Sequence, residues 1–109
     1  MEDSPLQKLI NAILLSAIKK GASAIRIVNN ADPMRVYFDI GAESIEEMRP
    51  PGRLREPMMA RLCAMSGADE LTRGSFTLVL RNEEAHCFEV TLSPGKTLFL
   101  LVRTSEPAL

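Results

Sequence analysis

Residues 4–27, SPLQKLINAILLSAIKKGASAIRI, change hydrophobic period within a few positions, and that junction constrains the fold more than any other stretch. Leu6, Leu9, Ile10, Ile13, Leu14, Ala17 and Ile18 recur at spacings of three and four and form one apolar stripe, with Lys8, Asn11 and Lys19 off it. Ser4 suits the cap of this helix, Pro5 its first position, and Gln7, three residues after Ser4, the far member of a capping box. Lys19 and Lys20 complement the carbonyl end of the dipole, and Gly21 supplies the left-handed residue that stops the helix. Beyond Gly21 the period is two, with Ile25 and Ile27 on one side and Ala24, Arg26 and Val28 on the other, the pattern of a strand. A helix with one apolar stripe, leading directly into a strand with one apolar face, requires a sheet to lie on.

The remaining chain supplies that sheet. Val36, Phe38 and Ile40 alternate with Arg35, Tyr37 and Asp39 after an NNADP turn. Gly41 and Ala42 allow a reversal, and Ile45 and Met48 mark a third strand ending at Pro50 and Pro51. From Arg53 the period is helical again, with Leu54, Met58, Leu62 and Met65 on one face, widened by Met59 and Cys63, and Gly67 as the stop. Phe76, Leu78 and Leu80, an RNEE turn, and then His86, Phe88, Val90 and Leu92 read as a hairpin. Residues 98–102 are apolar throughout, the pattern of a strand covered on both faces. Residues 104–109 have no periodicity and are expected to be a loose tail. The expectation is a single α+β domain over residues 1–109, in the order α-β-β-β-α-β-β-β. It is a two-layer fold with an antiparallel sheet of about six strands and two helices packed side by side on one face.

Composition excludes several function classes. With 13 basic and 14 acidic residues the formal net charge is −1, which gives no field to attract nucleic acid. Cys63, Cys87 and the single histidine lack metal-ligand and redox spacing, so two buried thiols are expected. No apolar run approaches the roughly 20 residues that span a bilayer, and the acidic N-terminus is unlike a signal peptide. The chain therefore reads as soluble and cytoplasmic, with no membrane insertion.

Candidate chemistry is sparse. Gly95, Lys96 and Thr97 imitate the end of a phosphate loop, but position 90 is Val90 rather than glycine and a strand follows where a helix is needed. His86 and Cys87 are adjacent in a strand and point to opposite faces, so they cannot pair locally. The sequence yields no catalytic residue, no metal ligand and no cofactor-binding residue. Arg53, Arg55 and Arg61 lie on or near the second helix, with Glu56 among them, and Arg55 and Arg61 are kept as a candidate contact surface. Leu15 lies opposite the apolar stripe of the first helix, beside Ala12 and Lys19, and is expected to face solvent where a partner helix could cover it. Arg35, Tyr37 and Asp39 share the outward face of their strand and complete the candidate interaction residues.

LINAILLSAIKKGASAIRI, MRVYFDIG at 34–41, MRPPGRL at 48–54 and MARLCAMSGAD at 59–69 together resemble the domain before the motor core in the ATPases of type II secretion and type IV pilus assembly. The resemblance implies a PAS-like domain that, in those motors, packs against a neighbouring subunit's ATPase domain. It also implies a stand-alone, degenerate relative without the ATPase domain. In the motors, arginines commonly stand where this chain has Tyr37, Asp39 and Glu89, and aspartate, histidine and glutamate where it has Ala24, Arg26 and Val28. Those arginines reach nucleotide phosphates, so acidic Asp39 and Glu89 would repel them, and Arg35 alone is kept. The implied function is a non-catalytic interaction or regulatory domain, with a secretion or pilus motor component as protein partner or with homodimer formation. The alternative is a PAS-like sensor binding a small ligand between helices and sheet, lined by Met58, Met59 and Met65.

Overall fold

The computed structural model describes residues 5–28, 33–69, 72–92 and 97–104. Helix α1 (Pro5–Lys19) leads into strand β1 (Ala24–Val28), followed by β2 (Arg35–Ile40) and β3 (Glu43–Met48). A single 3-10 turn (Gly52–Leu54) opens α2 (Arg55–Ser66), and β4 (Gly74–Val79), β5 (Ala85–Leu92) and β6 (Thr97–Thr104) complete the chain. The expected order is observed. The strands form one six-stranded sheet in the order β3-β2-β1-β6-β5-β4, antiparallel at every pairing.

The junction after α1 has the geometry its sequence demands. Gly21 adopts φ +71°, its N–H bonds to Ile18 O at 3.1 Å, and Ala22 N bonds to Ala17 O at 2.9 Å. These two bonds are a Schellman ending, with buried Ala17 and Ala22 as its apolar contact. Gln7 donates to Asn11 Oδ1 and accepts from Arg61 Nη1, both at 2.9 Å, so it ties α1 to α2. The capping box expected of Ser4 and Gln7 lies outside the described residues at its Ser4 end. So do Gly95 and Lys96 and most of the NNADP turn.

The core is one layer between helices and sheet. Ile10, Ile13, Leu14 and Ala17 of α1 and Met58 and Leu62 of α2 bury against Ile25, Ile27, Val36, Phe38, Phe88, Val90, Leu98 and Leu100. Phe76 of β4 stacks on Phe88 at 5.2 Å between centroids. In β3, the three-residue spacing of Ile45 and Met48 is reconciled with a strand by a bulge. Ile45 pairs with Phe38 and Met48 with Val36, leaving Glu47 as the extra residue. The strand β6 extends to Thr104, which pairs with His86, so the expected loose tail begins one residue too early; 105–109 lie outside the described residues.

Candidate interaction surface

Both helices cover the same side of the sheet, and among the described residues nothing covers the other. The period of two in each strand places Ala24, Arg26 and Val28 of β1, Arg35, Tyr37 and Asp39 of β2, Phe99 and Leu101 of β6, and Cys87, Glu89 and Thr91 of β5 on this open face. Register aligns them in rows. Tyr37, Arg26, Phe99 and Thr91 lie side by side, and Asp39, Ala24, Leu101 and Glu89 form the next row. Val28, Tyr37, Phe99 and Leu101 are half-exposed. Residues 98–102 are expected from sequence to be covered on both faces; Leu98 and Leu100 are buried under the helices, but Phe99 and Leu101 on the second face are half-exposed and meet no described element.

Arg26 organises the charged half of this face. Its Nη2 donates to Asp39 Oδ1 at 3.1 Å and to Ser44 Oγ, and its Cζ lies 5.4 Å from the centre of the Tyr37 ring. The Nε of Arg26 is enclosed with no hydrogen-bond partner among the described residues. Three strands thus converge on one guanidinium. Its ion pair is part-exposed, so it contributes about 1 kcal/mol or less and serves chiefly to hold Tyr37 and Asp39 in place. Asp39, read from sequence as a charge that would repel phosphate, spends its carboxylate on Arg26. At the β3 edge, the hydrogen bond from Arg49 holds the Glu46 carboxyl below its usual value, with the charge of Arg35 adding to the effect.

The six candidate residues fall into separate patches. Arg35, Tyr37 and Asp39 are together on the open face. Leu15, 36% exposed, is on the outer flank of α1 as expected. Arg55 is half-exposed and Arg61 exposed on α2, in the helix layer. Arg61 spends one nitrogen on Gln7, a structural contact its spacing did not reveal. Arg26, Phe99 and Leu101 were not singled out as site residues. The outward parity of Arg26 is legible from the alternation of its strand, whereas Phe99 and Leu101 lie in a run apolar at every position, and the meeting of all three with Tyr37 depends on strand order.

Chemical constellations are absent among the described residues. Cys87 lies on the open face while His86 is buried beneath the helices, with Nε2 3.0 Å from Glu84 Oε1. Cys63 is half-buried on α2, across the sheet from Cys87, and burial pushes its thiol up, with Asp69 adding to the shift. No group of three His, Cys, Asp or Glu side chains could hold a metal ion among the described residues. The space bounded by Ile10, Ile13, Leu14, Ile25, Ile27, Met58, Leu62 and Leu100 has no room for a water molecule. No described helix is long and apolar enough to cross a membrane.

No family model matches the chain. It is 43% identical over 68 residues to the type IV pilus assembly ATPase PilB of Myxococcus xanthus, a stretch that is 62% of this chain and 12% of that protein. It is 34% identical over 68 residues to the type II secretion system protein E of Klebsiella pneumoniae and to the type II secretion system ATPase E of Vibrio cholerae, in each case 62% of this chain and 14% of the relative. The chain thus spans about an eighth of the length of the curated relatives it matches. Over that segment, the chain is a relative of the type IV pilus assembly and type II secretion ATPases.

Proposed function

We propose that this chain is a cytoplasmic, non-catalytic domain that works by protein contact through the open face of its sheet, with a secretion or pilus motor component as its partner. The observation that carries the reading is the uncovered centre of the sheet, where Phe99, Leu101, Val28 and Tyr37 are half-exposed around the Arg26–Asp39 pair. A face that is apolar at the middle and charged at the side suits a protein surface, because burial rewards the first and specificity comes from the second. The PAS-like description of the fold belongs with this reading. The sensor alternative has no preformed space to support it, since the core between helices and sheet is filled.

The test is binding of the purified chain to the purified motor ATPase from the same cell, with light scattering to detect self-association. Phe99→Asp and Tyr37→Ala should each weaken the complex at least tenfold, whereas Arg55→Glu, in the other layer, should not. Binding that is insensitive to both open-face substitutions would sink the proposal, as would a chain that stays monomeric and binds no motor.

A further inference from the structure

The two edges of the sheet are built differently. The outer edge at β3 is bulged and lined by Glu43, Glu46 and Glu47, with Glu46 paired to Arg49 and Glu47 to Lys20. Bulges and charges of this kind keep an edge from pairing with another chain. The opposite edge, β4, reads GSFTLV, with no charge, no proline and no register shift against β5. Leu80 bonds through both its N–H and its C=O into the β4–β5 turn, so alternation turns the backbone groups of Ser75, Thr77 and Val79 outward. All three residues are exposed, Val79 by 65%, and they have no other backbone partner among the described residues.

Two further features show what this edge fits. Beside it runs a groove of about 510 Å3 lined by Asn11 and Leu15 of α1 and by Leu78, Val79, Leu80 and Arg81. Every second side chain of an added strand would point toward the helix side, where this groove accepts an apolar group. At the ends of β4 stand Arg73 and Arg81, both exposed and neither with a side-chain partner among the described residues. The six strand residues Gly74–Val79 lie between them, and Arg81 is already in the β4–β5 turn.

We propose that the β4 edge receives an extended segment of a partner protein that is apolar and uncharged at its centre and carries a carboxylate at each end. The backbone of the segment completes the hydrogen bonds of Ser75, Thr77 and Val79, its ends meet Arg73 and Arg81, and an apolar side chain enters the groove beside Leu15. A second copy of this chain fits worse. An antiparallel pairing that satisfies all three outward residues centres on Thr77 and brings Arg73 of each copy toward the turn that carries Arg81 of the other, like charge to like charge at both ends. This surface is distinct from the open face and stands or falls independently of it.

The probe is a fluorescently labelled peptide of alternating threonine and valine, about nine residues long so that it covers β4 and overhangs it at both ends. One version ends in glutamates and the other in lysines, and binding is followed by anisotropy at low salt. The glutamate-ended peptide should bind saturably and at least tenfold more tightly than the lysine-ended one. Thr77→Pro removes an outward N–H and leaves the β4–β5 ladder intact, so it should abolish binding. The double variant Arg73→Glu with Arg81→Glu should reverse the preference, and it tests the charge pattern even if the proline variant fails to fold. Equal affinity for the two peptides, no binding by the folded chain, or an unreversed preference would overturn the proposal. So would a concentration-dependent dimer lost on Thr77→Pro, which would assign the edge to a second copy instead.

Discussion

At the scale of single residues, Leu15 and Cys63 give the sharpest checks. Leu15 is 36% exposed on the flank of α1 and reaches the groove beside β4, not the core. A lysine stem can lie along the same groove wall with its charge in water, so Leu15→Lys should lower stability by less than about 1 kcal/mol in urea denaturation. A larger loss would mean that the helix is rotated from the orientation described. Cys63 is held above the usual thiol value by burial and then by Asp69. The folded state therefore keeps this proton longer than the unfolded chain, which loses it near pH 8.5. The sign is that stability falls as pH rises through and above that value, because the folded state then holds the extra proton. In a Cys87→Ser background, iodoacetamide at pH 8 should alkylate Cys63 more slowly than glutathione; an equal or faster rate would contradict the burial.

At the scale of elements, the turns carry more specificity than the strands they join. The approach of β4 to the end of α2 depends on Gly74, where an added Cβ would lie 2.2 Å from Ser66 O and 2.6 Å from Ala68 N. Both obstacles are backbone atoms, so no side-chain rotation relieves them. Gly74→Ala should cost about 1–3 kcal/mol, the range of overpacked sites, and a melting temperature equal to the parent's would show that the two elements are not in contact. This glycine was not legible as structural from sequence, because its φ is ordinary and only the approach of α2 demands it. Gly21 was legible, since a glycine after a lysine pair at the end of an apolar stripe has few other uses. The bulge in β3 falls between these cases: the spacing of Ile45 and Met48 was visible, but its meaning required Phe38 and Val36 as partners.

At the scale of the whole molecule, the two layers leave one face of the sheet bare and one edge unguarded among the described residues. Neither presents a phosphate cradle. The central cation of the open face, Arg26, is committed to Asp39 and Ser44. Calorimetry with Mg-ATP should therefore give no saturable heat up to millimolar nucleotide, and a micromolar dissociation constant would reverse the reading of this face.

The sequence by itself determined the elements, their order and, wherever a strand alternates, the side that enters the core, because periods of 3.6 and 2 are local properties of a backbone that must bury apolar surface; in β6, apolar at every position, it left the side open. It also carried the kinship with secretion and pilus ATPases. Apart from the β4–β5 hairpin, tertiary structure alone decided which strands are neighbours. That order put Arg26 between Tyr37 and Phe99, drew Asp39 to it, and left β4 at the edge with Leu15 alongside. Contacts of this kind depend on register and strand order across distant parts of the chain, and no local period encodes them.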